Sequence, residues 1–428
     1  MTRRPHGIAG ATRHVLANGM VALIQRNPST PTVSVRGEVR AGSVHEEPAQ
    51  GGLAAFTGAA LIRGADERSF QQIVSETEER GSSVSAGGGL HSSGFGGKAL
   101  VEDLPLILAI LADMLARPGF PAHEIEKLRG QFLTSLRESE QETGIQARRA
   151  ARELLYPPEH PYSRLGSGTI ETVQALTRDD LVRFHACYHP VGASVAVVGD
   201  VDPPAVIAAL EQSLGAWAPA GTPLALDVPS TPPLSEVRRR DVPMRGKVQS
   251  DVIWAVPGLR RNDPDFYPAM LANMILGRLG MGGRLGEHVR EQQGMAYYCY
   301  SGLEADVGAG PWSAVAGVNP TNVERAIAAI LHEVTQFAAT GPTAQELSDA
   351  RDFLTGSLVL SLETNDGIAA TLLAIERFGL GLDFIDRYPA IIGAVTHEQI
   401  VEVARRYLAT DGYVLAVAGP PAEPGDAR

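Results

Sequence analysis

Residues 176–200 read LTRDDLVRFHACYHPVGASVAVVGD, and residues 395–419 read VTHEQIVEVARRYLATDGYVLAVAG. At an offset of 219, Thr177, Leu181 and Tyr188 fall on Thr396, Ile400 and Tyr407. Each stretch places a Thr where it can cap a helix and follows it with an acidic first turn. Apolar positions then recur at helical spacing, and a β-branched run, SVAVVG or YVLAVAG, comes next. A second pair keeps the same order. AHEIEKLRGQFLTSLRES (122–139) and AQELSDARDFLTGSLVLS (344–361) align at an offset of 222, with Ala122, Glu124, Arg129, Leu136 and Ser139 on Ala344, Glu346, Arg351, Leu358 and Ser361. Helix-to-strand punctuation repeated in this way predicts one α/β unit used twice.

Turn formers mark the join. WAPAGTPLALDVPSTPPL (217–234) carries five prolines and little periodicity, so it reads as a linker between a domain at 1–216 and a homologous one at 235–428. LANGMVALIQ (16–25) sets an Asn-Gly turn between apolar runs, a hairpin signal. PTVSVRGEVRAGS (31–43) is a strand candidate, and KVQSDVIWAVPG (247–258) fills the equivalent slot in the second half. Between strands, ALVEDLPLILAILADMLA (99–116) and NVERAIAAILHEVTQFAA (322–339) space apolar residues at three and four, as a helix packed on a sheet requires. The expected class is α+β: two homologous α/β sandwiches, each a mostly antiparallel sheet covered by helices on one face.

The composition excludes several classes. Lys plus Arg number 37 against 49 Asp plus Glu, a net charge of −12, so the basic footprint of a nucleic-acid or anionic-membrane binder is missing. Cys187 and Cys299 belong to no CxxC pair, which favours a reducing compartment. No run approaches the ~18 apolar residues of a membrane span. The segment after Arg3 and Arg4 is broken by Gly, His and Asn before it reaches the about 7–15 apolar residues of a secretory core. The expectation is a cytoplasmic protein, with a periplasmic location left open.

GSVHEEPAQGGLAAFTGAALIRGADERS (42–69) resembles the metal-binding segment of the pitrilysin/insulinase zinc peptidases, which include mitochondrial processing peptidase. That family reads roughly GS-x-x-E, G-L-A-H-F-L-E-H-M, a G-T turn and Arg-Ser. HPYSRLGSGTIETVQALTRDDL (160–181) is similar to the family's HPYGRPILGT…I…LT segment, and the likeness runs on through the second half. The inverted motif H-x-x-E-H works because residues at i and i+4 share a helix face, so two imidazoles converge on one ion while the Glu takes a proton from metal-bound water. By this resemblance the three places are Ala55, Gly58 and Ala59. The third ligand, a Glu in a downstream helix, aligns with Ser135 in LRGQFLTSL (128–136), and serine is a poor zinc ligand. Three ligands and the base are absent together, which predicts no zinc and no hydrolysis at this position.

Other residues offer no replacement. His45, His91, His123 and His160 are scattered singly, and His185 with His189 forms an H-x-x-x-H read as structural. The family's edge strand usually carries Asn-Ala and here reads Ser85-Ala86, a departure that argues against this half binding substrate in the family's usual way.

GGRLGEHVREQQGMAYYCYS (282–301) resembles the family's S-R-L-F-x-x-L-R-E-x-x-G-L-A-Y-S-V-x-S segment, in which an Arg and a Tyr face the zinc site of the other half or other subunit. Carried over, they are Arg290 and Tyr297. An Arg fork can hold a substrate carbonyl, and a Tyr hydroxyl can donate to the oxyanion formed when water attacks. Read from the residues alone, Arg290 pairs with Glu287 or Glu291 and Tyr297 is core. Gly280, Gly282 and Gly283 resemble the glycine-rich loop of the non-catalytic processing-peptidase subunit and read as a plain, flexible loop.

The resemblance implies a chain that is not an enzyme alone. It would be the non-catalytic subunit of a heterodimer, closing a peptide-degrading chamber and supplying Arg290 and Tyr297 in trans, with zinc only in a homologous partner and a peptide as substrate. The alternative is a peptide-binding or scaffold pseudopeptidase with no peptidase partner, homodimeric if expressed alone. A third reading, an independent enzyme, requires zinc near one per chain.

Overall fold

The computed structural model describes residues 8, 10–218, 221–408 and 411–421; Pro219 and Ala220 of the expected linker lie outside them. The Asn18-Gly19 turn closes strand β1 (Thr12–Val15) onto β2 (Val21–Arg26), with Val15 opposite Val21 and Gly19 at φ +91°. With β3 (Thr32–Val39), β4 (Ser83–Gly88), β5 (Ser93–Leu100) and β6 (Ser194–Gly199) they form a six-stranded sheet ordered β1-β2-β6-β3-β5-β4. The second half builds β7 (Arg238–Pro243), β8 (Ser250–Pro257), β9 (Ala296–Ala305), β10 (Ala309–Val318) and β11 (Val414–Gly419) into a sheet ordered β7-β11-β8-β10-β9. After β1 the two orders are the same. The parallel pairs also correspond, β2 with β6 and β7 with β11, and the other pairs are antiparallel. The duplication is therefore one of topology as well as of sequence.

The helices used below are α1 (Leu53–Ala60), α2 (Leu104–Ala116), α3 (Ala122–Ser139), α4 (Thr143–Leu155), α5 (Arg178–His185), α6 (Phe266–Gly277), α7 (Val323–Thr340), α8 (Ala344–Ser361), α9 (Asn365–Arg377) and α10 (His397–Tyr407). The repeated residues have repeated work. Arg129 of α3 donates to the Val173 carbonyl at 2.5 Å, and Arg351 of α8 donates to the Val395 carbonyl at 2.6 Å. Thr177 and Thr396 cap α5 and α10, each closing a reciprocal box with Asp180 or Gln399. Glu124 of α3 faces Arg63 at 3.8 Å, while Glu346 of α8 holds Arg284 through two contacts of 2.6 and 2.7 Å.

The compact units do not follow the linear halves. One comprises the chain through Leu136 with Leu165–Leu226 and Ser357–Arg387; the other comprises Arg137–Arg164, Asp227–Gly356 and the chain from Tyr388. Each sheet stays with its own half of the sequence, but each unit takes a helix from the other half. In the first unit β3 alternates: Val33, Val35 and Val39 are buried in the core, while Ser34, Arg36 and Glu38 face α9. The second sheet face thus carries the single helix α9, which packs on β3 and β6. In the second unit α4 packs on β8 and β11, burying Ala147, Ala150, Ala151 and Leu155. An amphipathic helix shows which of its own faces is apolar and not which sheet receives it.

Both exchanged helices are tied to a sheet at their N-termini by one carboxylate, supplied by the helix in the first unit and by the sheet in the second. In the first unit Asp366 of α9 accepts from Arg36 at 2.7 and 2.9 Å and from Ser34 at 3.3 Å. In the second, Asp251 of β8 accepts from Thr143 of α4 at 2.5 Å, from Gln249 at 3.3 Å and from Tyr298. Burial and the neighbouring Asp251 push the Tyr298 phenol above its ordinary value, so it stays a donor. Among the described residues no single helix is long and apolar enough to cross a membrane.

Candidate functional site

Helix α1 begins at Gly52, where φ is +91°. The buried carboxylate of Glu46 accepts from the Gly52 N–H at 3.0 Å and the Ala54 N–H at 2.6 Å, placing negative charge where the helix dipole and its orphan donors favour it. Glu46 thus positions the helix that should carry the metal, a role its place in the GS-x-x-E pattern does not disclose. Phe56 of α1 meets Phe132 of α3 edge-on at 5.1 Å, and Arg129 lies 5.4 Å over the same ring. The fold therefore brings together the two helices that carry Ala55, Gly58, Ala59 and Ser135.

Of these four positions only Ser135 carries a side-chain oxygen or nitrogen. Ala55 and Ala59 are half-buried methyl groups, Gly58 is buried, and Ser135 is exposed on α3. The helix has also closed on the sheet. A Cβ on Gly58 would fall on the Gly88 backbone nitrogen and 2.5 Å from the Gly87 carbonyl carbon. A Cβ on Gly88 would overlap the Ala54 carbonyl and lie 2.6 Å from the Ala55 nitrogen. Two facing glycines let α1 and β4 touch backbone to backbone, so position 58 has no room for a side chain in this packing. Among the described residues no three His, Cys, Asp or Glu side chains gather to hold an ion.

The H-x-x-x-H pattern is not one helix face in the folded chain. Helix α5 ends at His185, and His189 lies beyond it. His185 Nε2 bonds the Leu115 carbonyl at 2.9 Å, and burial lowers its pKa; His189 Nδ1 instead accepts from the Val191 N–H at 3.0 Å. His160 is buried against the Pro229 carbonyl at 3.1 Å. Burial raises the Cys299 thiol to about 12, which removes it as a nucleophile.

In the second unit Arg290 and Tyr297 each sit on a backbone irregularity. Arg290 lies in a π-helical turn, Gly286–Gln292, that follows Gly280, Gly282 and Gly283, all at positive φ. A Cβ on Gly282 would stand 2.5 Å from the Cys299 carbonyl oxygen, so the glycine-rich loop fits closely against β9 at this position. The Arg290 guanidinium bonds Glu291 at 2.8 Å and touches Met281 Sδ at 3.6 Å, one of the pairings read from the residues alone. Tyr297 lies on edge strand β9 between Ala296, opposite Val318, and Tyr298, opposite Gly317. It is the extra residue of a β-bulge, and its side chain is 64% exposed, which removes the core reading of this tyrosine. Neighbouring Tyr298 points to buried Asp251. π-turns and bulges each cost regular hydrogen bonding, and both recur where a side chain must be aimed.

The geometry defines a duplicated α+β fold in which α1 packs against β4 backbone to backbone in one unit, and Arg290 and Tyr297 sit on backbone irregularities in the other. Residues 21–158 match the family description "Insulinase (Peptidase family M16)", and residues 175–354 match "Peptidase M16 inactive domain". The chain belongs to the pitrilysin/insulinase, or M16, peptidase family. An uncharacterised zinc protease of Streptomyces coelicolor is 29% identical over 428 residues, covering 97% of this chain and 91% of the relative. The mitochondrial-processing peptidase subunit beta of Lentinula edodes is 24% identical, covering 94% and 89%. A solved "peptidase M16 inactive domain" from Pseudomonas fluorescens superposes with a TM-score of 0.88 at 26% identity, covering 96% of this chain and 99% of that one.

Proposed function

We propose that this chain is the non-catalytic subunit of a heterodimeric M16 peptidase. In this reading zinc is held by a homologous partner with an intact H-x-x-E-H, and the present chain closes the chamber around a peptide substrate. Arg290 reaches a substrate carbonyl, and Tyr297 donates to the oxyanion at the partner's metal. The observation that carries the proposal is the contrast in backbone geometry: α1 is packed shut on β4, whereas Tyr297 is held outward by a one-residue bulge on an open edge strand. A purely structural tyrosine at that place has no need of 64% exposure.

The test is reconstitution. The chain is co-expressed with an H-x-x-E-H homologue of similar size, and peptide cleavage is measured for Arg290→Ala and Tyr297→Phe. Loss of one oxyanion donor is expected to lower kcat by about 10²-fold with assembly unchanged. Unchanged cleavage in both variants sinks the trans role.

A peptide-binding pseudopeptidase without a partner is the second reading, supported by an open trough on the first unit's sheet. A stable homodimer that ignores every H-x-x-E-H homologue favours it.

A further inference from the structure

Next to Arg290, the second unit holds a methionine that core packing does not explain. Met281 lies between Gly280 at φ +59° and Gly282 at φ +118°, and it is 71% exposed. It is the only exposed methionine among the described residues: Met20, Met114 and Met295 are buried, and Met244, Met270 and Met274 are partly covered. Methionine ordinarily serves as an adaptable filler of core gaps, and at this exposure Met281 fills none. Its sulfur instead accepts from Arg290, whose Nη2 donates to Met281 Sδ at 3.6 Å and to Glu291 Oε1 at 2.8 Å. A thioether is a weak acceptor, so this contact holds the guanidinium loosely. Met281 also lines a hollow of about 290 Å³ with Leu279, Glu287 and Glu291, and a small solute reaches the sulfur from that side.

We propose that Met281 is a modification site for a hydroperoxide, and that the resulting sulfoxide captures Arg290. In this step a sulfur lone pair attacks one peroxide oxygen, and the S–O bond forms as the O–O bond breaks. The leaving oxygen takes up a proton and departs as water or an alcohol. Sulfur gives up two electrons, the peroxide gains them, and no other group changes oxidation state. The product sets an oxygen acceptor where the thioether offered only sulfur. A guanidinium donating to that oxygen makes a charge-assisted bond, stronger than the one it replaces. The Arg290 N–H groups are then occupied and no longer free for a substrate carbonyl. The consequence for cleavage rests on the trans reading of Arg290; the modification and the capture do not.

The experiment uses the full chain alone, so its failure leaves the trans reading standing. Hydrogen peroxide is added in limiting amount, and each methionine is followed by peptide mass. Met281 should gain one oxygen about tenfold faster than Met244, Met270 or Met274, because susceptibility follows exposure. Capture is read as the rate at which phenylglyoxal labels Arg290. That rate should fall about tenfold in the oxidised chain, the effect of one added hydrogen bond to a charged group. It should recover when the two methionine sulfoxide reductases, one for each epimer, restore the thioether. In Met281→Leu peroxide should leave Arg290 labelling unchanged, and Met281→Gln, a permanent oxygen acceptor, should slow labelling without peroxide. Oxidation of Met281 no faster than of the partly covered methionines, or a sulfoxide that leaves Arg290 labelling unaltered, overturns the proposal. In the reconstituted peptidase, peroxide should lower cleavage with the wild-type chain and not with Met281→Leu. Captured Arg290 with undiminished cleavage supports the capture and removes the trans role instead.

Discussion

Strands β4 and β9 are the corresponding outer edges of their two sheets, and the chain treats them in opposite ways. At β4 a helix comes down until the Gly58 and Gly88 backbones touch. At β9 an extra residue is inserted, and Tyr297 stands out from the edge. The two edges thus differ in how their backbone is used: at β4 facing glycines fill the space between helix and strand, while at β9 a one-residue bulge turns a tyrosine outward. Facing glycines at 58 and 88 allow a helix–strand contact that a Cβ at either position would block.

The sharpest way to break this comparison is to put the ligands back. Ala55→His, Gly58→Glu, Ala59→His and Ser135→Glu together restore the side chains that hold and serve zinc in the family. If α1 were merely stripped, the variant would bind about one ion per chain. Because a side chain at 58 has to enter backbone, we expect no stoichiometric zinc by metal analysis, together with destabilisation above about 4 kcal/mol or insolubility. Gly58→Ala alone separates the two effects: it adds no ligand and should still cost about 1–3 kcal/mol in denaturant unfolding. A soluble quadruple variant holding zinc would show that the closure is soft.

Much of this architecture was legible in the sequence because its signals are local. Thr177 and Thr396 announce helix starts, Asn18-Gly19 announces a hairpin, and Arg129 and Arg351 recur because each reaches the equivalent carbonyl of its own copy, Val173 or Val395. The features that were not legible depend on distant chain. Nothing in TGIQARRAARELL says that α4 lies on the other half's sheet, and Gly58 discloses its contact only once Gly88 is opposite it. His185 and His189 kept helical spacing in the sequence, yet the helix stops between them. The bulge at Tyr297 exists only as a register between two strands, and a single strand cannot display it. Glu46 was visible as a motif letter, but its capping role needed the helix start at Gly52.

The comparison also extends to acid. Glu346 and Glu124 occupy repeated positions, but only Glu346 has a bidentate Arg. Burial pushes the Glu346 carboxyl up; hydrogen bonds from Arg284 and the Thr343 backbone and side chain outweigh it and hold it down at about 2. A folded value below the unfolded one means stability that is complete above about pH 5 and is lost as pH falls toward 2. With the side chain a quarter exposed, the contribution at neutral pH is about 2–3 kcal/mol. Acid titration followed by Trp254 and Trp312 emission, both buried in the second unit, should show that loss. Glu346→Gln should remove most of the pH dependence between 5 and 2, and Glu124→Gln should remove less. Equal effects at the two sites would contradict the difference in geometry.

The smallest expected difference lies in the caps that first revealed the repeat. Thr177 accepts from the Asp180 N–H at 3.2 Å, and Asp180 accepts from the Thr177 N–H at 2.7 Å. In the other copy Thr396 accepts from the Gln399 N–H at 3.3 Å, and Gln399 accepts from the Thr396 N–H at 2.8 Å. The lengths are nearly equal, but one box carries a charge at a helix N-terminus and the other does not. Thr→Ala at either cap should cost about 1 kcal/mol. The charged box adds a dipole contribution of about 0.3–1 kcal/mol, so Asp180→Asn should cost more than Gln399→Glu gains or loses in the exposed copy. Burial pushes the Asp180 carboxyl up, and the Thr177 hydrogen bonds and Arg183 more than offset it, leaving the group lowered. The excess is therefore present above the ordinary Asp range and fades as pH falls through it. Thr177→Ala and Thr396→Ala should differ in denaturant midpoint at pH 7 and converge as pH falls below the ordinary Asp range through the lowered folded value; a difference that persists in stronger acid would assign it to packing at Leu181 and Ile400 instead of to charge.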